Sequence, residues 1–175
     1  MISSINNDDI FSANRTINIY GDPAVMHYIR EPEKNIRSVK TYLEKRVKRD
    51  RNSNNGTGSW PVIEQNTGEL MGAILLQQLP DNQGKLTQDF EIGWHFRRLS
   101  WGKGFATEAA QCIINYGFQA LQLPILYAVV RAENQRSIRV TQRLKMEPLG
   151  ETNKYYGVDL LLFCLTSGHT KFSCN

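Results

Sequence analysis

The stretch Trp101-Gly102-Lys103-Gly104-Phe105-Ala106-Thr107-Glu108-Ala109 limits what this chain can fold into more than any other. Two glycines flank a lysine, and a helical pattern begins directly after them. Just before, Asp89 to Phe96 alternates as a strand does: Phe90, Ile92, Trp94 and Phe96 share one face, Glu91 and His95 the other. After the turn, Gly104 to Leu121 places Ala106, Ala109, Ala110, Ile113, Ile114, Gly117 and Leu121 at helical spacing. The local order is therefore strand, glycine turn, helix. A turn in that setting presents backbone N–H groups at the positive end of the helix, where a phosphate is held.

Such a site needs a folded scaffold, and the composition supplies one. The chain has 175 residues, which fits one domain spanning 1–175 with loose tails at 1–5 and 167–175. Apolar residues make up 41% and charged residues 22%, so a packed core is expected and disorder throughout is excluded. The net charge of +4 suits acidic ligands such as phosphates. It falls short of the concentrated basic face of a nucleic-acid binder, so no direct nucleic-acid binding is expected. Three cysteines, Cys112, Cys164 and Cys174, are odd in number and lack C-x-x-C spacing. Neither a disulfide framework nor a metal site is expected of them; Cys112 and Cys164 read as buried thiols, Cys174 as an exposed one. The apolar run Leu160 to Leu165 is too short to span a bilayer, and the start of the chain lacks a signal-peptide pattern. A cytoplasmic protein without membrane association is the expectation.

Around the turn the chain reads as a mixed α/β layer. Asn6 to Asp9 offers helix caps, with Ile10, Phe11, Ile17 and Tyr20 on one face of a short helix that Gly21-Asp22-Pro23 stops. Asn35 to Arg49 is a second helix, with Ile36, Val39, Tyr42, Leu43 and Val47 at helical spacing and its lysines and arginines on a solvated face. Ser59–Glu64 and Leu70–Gln77 are strands joined at Asn66-Thr67-Gly68; polar loops are expected at Asp50–Gly58 and Pro80–Gln88. Ile125–Val130 is a short apolar strand, Asn134–Leu144 a helix, and Met146–Glu151 with Tyr155–Leu165 a closing strand pair around Thr152–Lys154.

Spacing narrows the phosphate ligand. Lys103 stands between two glycines, so G-x-x-x-x-G-K-[ST] fails, and no third glycine completes G-x-G-x-x-G. A pyrophosphate turn of the x-x-G-x-G/A kind remains, and it requires a second helix downstream holding the same ligand. Ala132-Glu133-Asn134-Gln135-Arg136-Ser137-Ile138-Arg139-Val140, after the apolar strand, supplies it.

Together these segments resemble the GNAT superfamily of acetyl-CoA-dependent N-acetyltransferases, and more narrowly the branch of ribosomal-protein N-terminal acetyltransferases. The resemblance rests on Asp22-Pro23-Ala24-Val25-Met26, Trp60–Glu64 with Thr67–Gly72, Glu91-Ile92-Gly93-Trp94, the glycine turn, and Glu133–Val140, in family order over residues 20–165. It implies a central mixed sheet of six to seven strands with helices on both faces, in which the parallel strands 89–96 and 125–130 splay to admit acetyl-CoA.

It also implies roles. Backbone groups of Trp94, His95, Phe96 and Arg97 pair with the pantetheine arm. N–H groups along Leu99, Trp101, Gly102, Lys103, Gly104, Phe105 and Ala106 hold the pyrophosphate, and no metal takes part. Asn134 binds the cofactor arm, and Ser137 stands near the sulfur as a donor to the leaving thiolate. Glu91 is the first choice for general base, at a position where family members often carry a carboxylate; His95, on the same face and titrating near neutrality, is the second. Tyr155 and Tyr156 stand within reach of the cleft but are better explained as core or rim packing. The acceptor is a primary amine, on a protein N-terminus or on a small molecule such as a polyamine, an aminoglycoside or an amino acid. The alternative is an acyl-CoA-binding module without turnover; the glycine turn together with Glu91, Asn134 and Ser137 favours the enzyme.

Three departures from the family pattern stand out. Leu99 replaces a frequent Gln or Arg, which matters little where the contact is backbone. Lys145 replaces a helix-ending glycine, so it must turn left-handed or the cap must differ. Only Met1 to Ser4 precedes the first helix, so the opening strand is short or missing, and a loop or the partner of a homodimer is expected to cover the open edge.

Overall fold

The computed structural model describes residues 13–168. The expected N-terminal caps, Ile10, Phe11, the opening strand, Cys174 and the tails 1–5 and 169–175 lie outside the described residues. In chain order the elements are α1 (Ala13–Tyr20), α2 (Pro23–Met26), α3 (Ile36–Ser53), β1 (Gly58–Ile63), β2 (Leu70–Pro80), β3 (Leu86–Phe96), a 3-10 turn (Arg98–Ser100), α4 (Phe105–Gln119), β4 (Ile125–Val130), α5 (Gln135–Arg143), β5 (Glu147–Thr152) and β6 (Leu160–Thr166). The strands form one mixed sheet in the order β1-β2-β3-β4-β6-β5. β3 and β4 are parallel in register Glu91↔Tyr127, while β6 runs antiparallel to both β4 and β5. No helix among the described residues is long and apolar enough to cross a membrane.

Two compact units emerge from the packing, residues 13–74 with 94–106 and residues 75–93 with 107–168. β2 and β3 each run through both. In the first unit, local chemistry sets the helix boundaries. Asp22 both follows α1 and caps α2, its Oδ1 accepting from Ala24 N at 2.9 Å, with Pro23 in the first helical turn. Asn35 and Ser38 form a reciprocal capping box on α3. That helix continues past Arg49 to Ser53, because no breaker occurs before Asn54, which ends it in left-handed backbone (φ 41). The core holds Ile19, Tyr20, Val25, Met26, Val39, Leu43 and Leu70, with Trp101 and Ile63 packed on it. Gly72 is a close-approach position: a Cβ there would fall 2.5 Å from both the His95 carbonyl oxygen and the Phe96 ring.

In the second unit, α4 buries Ala110, Ile113, Ile114 and Phe118, and β4 buries Leu126, Ala128 and Val130. The loop expected at 80–88 is a tight hairpin turn. Asp81 Oδ1 accepts from Gln83 N (2.8 Å) and Lys85 N (2.9 Å), which lets both strands run longer than their alternation suggested. The strand expected from Tyr155 begins only at Leu160. Tyr155 instead bridges Asp81, and Tyr156 and Gly157 turn left-handed (φ 60 and 66). Lys145 adopts φ 58, Lys145 N bonding Gln142 O and Met146 N bonding Thr141 O, both at 3.0 Å. This is the Schellman cap that the missing glycine left in question. Cys164 is buried and Cys112 half-buried, and among the described residues neither forms a disulfide.

Candidate active site

Glu91 lies mid-strand in β3, only 8% exposed. A carboxylate there needs donors, and two side chains supply them. Gln77 Nε2 on β2 donates to Oε1 at 2.6 Å, and the Tyr156 hydroxyl donates to the same oxygen. Gln77 also reaches Tyr156 OH at 3.3 Å. Tyr156 arrives here through left-handed backbone, which disfavours a side chain by about 1–2 kcal/mol and persists where the surroundings over-determine it. The surroundings are explicit. Gly157 N donates to Asn82 Oδ1 (3.0 Å), Asn82 Nδ2 donates to Asn153 O (2.7 Å), and Tyr155 bridges Asp81. Below them, Tyr155 OH and Lys154 Nζ both donate to Asp89 Oδ2, at 2.7 and 2.8 Å. Burial works against the Asp89 charge, but Lys154 and Tyr155 outweigh it and hold the carboxyl below its usual range. Asp89 in turn raises Lys154. Of the two tyrosines, Tyr155 is a buried strut and Tyr156 is the one that meets the candidate base, a contact the packing reading of this pair missed.

Asn134 and Ser137 meet at the start of α5, where Ser137 N donates to Asn134 Oδ1 at 3.2 Å. Both are half-buried. The helix cap therefore fixes the side chain of Asn134 and brings Ser137 beside it.

In the first unit the glycine turn has the backbone its sequence required, φ 75 at Gly102 and 89 at Gly104. A Cβ at either glycine would meet nothing within 4 Å. The N–H groups of Gly102, Lys103 and Gly104 find no acceptor among the described residues, and α4 starts at Phe105, leaving Ala106 in its first turn. Open space, free donors and a helix start fit a pyrophosphate. Leu99 is 76% exposed, in keeping with a backbone role. Among the residues expected to offer backbone to the pantetheine arm, Phe96 and Arg97 have groups already engaged. Trp101 Nε1 donates to Phe96 O at 2.8 Å, and Arg97 N donates to Met71 O at 3.0 Å. Trp94 and His95 are half-buried. The Arg97 guanidinium pairs with Glu69 at 2.5 Å and lowers that carboxyl.

His95 packs edge-on to Tyr20, ring centroids 5.8 Å apart, and its Nδ1 is covered without a hydrogen-bond partner. Burial first, then the charges of Arg46 and Arg30, push its pKa down to about 3. A histidine held neutral so firmly is a poor proton acceptor at neutral pH. Arg46 was assigned to a solvated face and is instead 7% exposed. Its signal was present in the spacing Val39, Leu43, Arg46, which puts it on the apolar stripe of α3. Among the described residues no group of His, Cys, Asp and Glu is arranged to hold a metal.

Known proteins share this chain's fold and family. A family described as acetyltransferase (GNAT) domain matches residues 3–147. The uncharacterized protein YkkB of Bacillus subtilis (strain 168) is 32% identical over 130 residues, 73% of this chain and 71% of its own. The crystal structure of a GNAT-family acetyltransferase from Bacillus anthracis superposes with a TM-score of 0.74 at 23% identity, covering 92% of each chain. That of the ribosomal-protein-S5-alanine acetyltransferase from Vibrio fischeri gives 0.71 at 18% identity, covering 95% of this chain and 92% of that one. At such identities the two structures establish a shared fold.

Proposed function

The chain belongs to the GNAT acetyltransferase family, and on that footing we propose that it is an acetyl-CoA-dependent N-acetyltransferase acting on a primary amine. The observation that carries this reading is the buried Glu91 carboxylate, held on one oxygen by Gln77 and Tyr156. Bound acetyl-CoA supplies an acetyl group already activated as a thioester. The chain's residues then have three tasks.

The first is binding. Backbone N–H groups from Gly102 to Ala106 hold the pyrophosphate, and Asn134 and Ser137 hold the arm. The second is deprotonation. A primary amine is an ammonium at neutral pH and attacks only after losing a proton, which Glu91 accepts directly or through a water. The donors on Oε1 orient the carboxylate that accepts the proton. The third is stabilisation of the leaving thiolate by a hydrogen bond from the Ser137 hydroxyl, while the proton released by the attacking nitrogen on amide formation is the one that restores the thiol. His95, held neutral, shapes the site without exchanging a proton.

The test is a screen of peptides with varied first residues and of small amines, read by CoA release. For the best acceptor, Glu91→Gln is expected to lower kcat by about 10²–10⁴ while acetyl-CoA affinity stays within about threefold. Unchanged turnover removes Glu91 from the mechanism. Acetyl-CoA binding without CoA release across the whole screen would instead mark a binding module.

A further inference from the structure

Helix α3 carries Arg37, Lys40, Lys45, Lys48, Arg49 and Arg51 in solvent, and Arg46 alone of its cations inside. A buried guanidinium needs its donors satisfied and its charge balanced. Nε donates to Ser59 Oγ at 2.6 Å and Nη1 to Tyr42 OH at 2.8 Å, both neutral partners. Nη2 has no partner among the described residues. Asp50 is hydrogen-bonded to Arg46 through Ser59, whose hydroxyl donates to Asp50 Oδ2 at 3.0 Å, and its charge also acts on the guanidinium; the other Asp50 oxygen is held by Arg49 at 2.8 Å. Arg30 adds a second cation, its guanidinium 3.9 Å from the Tyr42 ring centre, with Glu33 as its own partner at 2.7 Å.

Beside this guanidinium stand two buried polar atoms without a hydrogen-bond partner among the described residues. Tyr20 is 0% exposed, and among the described residues neither its hydroxyl nor the covered His95 Nδ1 has a hydrogen-bond partner. The Tyr20 ring touches both the His95 ring (5.8 Å) and the Tyr42 ring (4.9 Å), and both Tyr20 and His95 feel the Arg46 charge. Folded proteins rarely leave two buried polar atoms unpaired in one place, because each costs about 1–3 kcal/mol. The arginine edge and the phenol O–H donate, and the imidazole donates as well in the tautomer that carries its proton on Nδ1. What would satisfy them together is an acceptor with several lone pairs and a negative charge, and the planar arginine edge matches the two oxygens of a carboxylate.

We propose that Arg46, Tyr20 and His95 form a carboxylate-binding site between α1, α3 and the end of β3. This goes beyond the acetyl-transfer reading, and its first test does not depend on it. The full-length protein, without acetyl-CoA, is titrated with succinate while the His95 imidazole resonances are followed, with the uncharged diamide succinamide as control. Succinate is expected to give a saturable shift and succinamide none. Tyr20→Phe removes a hydroxyl that bonds nothing in the free protein. It should leave the melting temperature unchanged and weaken succinate about tenfold or more. Arg46→Lys, which keeps the charge and loses the fork, should weaken it further. No saturable shift up to about 50 mM, where even very weak specific binding registers, overturns the site, as does equal affinity in Tyr20→Phe. If Tyr20→Phe lowers stability in the absence of ligand, the hydroxyl is already bonded within the fold and the proposal also falls. The source of the carboxylate is read in turnover, with an amino-acid acceptor against its amide. A KM about tenfold lower for the acid, lost in Tyr20→Phe, assigns it to the acceptor; equal KM values assign it to a separate organic acid.

Discussion

Glu91 and His95 sit four positions apart on β3 and alternate onto one face, yet their surroundings differ. Glu91 is buried among donors, so its charge is matched. His95 Nδ1 is covered and the charges of Arg46 and Arg30 act on the ring, so a proton on it is disfavoured. A folded pKa near 3 against an unfolded value of about 6.5 means the unfolded chain binds the extra proton between those limits. Stability from this residue is therefore fully present above about pH 6.5 and drains away as the pH falls toward 3. The groups facing the ring are Tyr20 from α1, Arg46 from α3 and Arg30 ahead of that helix. Replacing His95 with Phe should flatten the acid limb by up to about 1.4 kcal/mol per pH unit in that window. Urea midpoints of both proteins from pH 7 to pH 4 measure it; parallel limbs would mean that other groups govern acid unfolding.

At the scale of elements, ends and connections decide more than interiors do. Helix α5 closes on Lys145 in left-handed backbone with both Schellman bonds formed. The side chain is exposed, so only the backbone strain is at stake. Lys145→Gly should raise stability by about 1 kcal/mol, seen as a higher urea midpoint with an unchanged m-value; a lower midpoint would show that unfolded-state entropy outweighs the strain. The hairpin turn at Asp81 and the segment 153–157 form a second such connection. Asn82 fastens the backbone that carries Tyr156 to Glu91. The strands and the main helix were legible because their periodicity is local. The extra residues of β2 and β3, and the late start of β6, were not, because a side-chain-closed turn and a long-range bridge set those limits.

At the scale of the molecule, the glycine turn belongs to the first compact unit and Glu91, Asn134 and Ser137 to the second. A ligand of the native state stabilises it in proportion to the logarithm of its concentration. Acetyl-CoA at about 100 times its Kd should add about 2.7 kcal/mol, which for a chain of this size is a rise in Tm of about 5–10 °C. Gly104→Val, which forces a branched side chain into left-handed backbone at the turn, should abolish the rise. A wild-type protein whose Tm does not respond to acetyl-CoA would remove the cofactor assignment.

Local interactions determine what the sequence alone could establish. Gly102 and Gly104 must turn left-handed, the residues after them must coil, Asp22-Pro23 and Asn35 must start helices, and Glu91 must sit on a strand between apolar neighbours. Each follows from contacts within a few positions. What only the tertiary structure decided are the meetings of distant residues: Gln77 and Tyr156 on Glu91, Tyr20 against His95, and Arg46 drawn inside with Ser59. Alternation and helical spacing tell which face a side chain takes. They carry no information about which residue from another element will face it, and that pairing sets the charge state, the burial and the chemistry of the group.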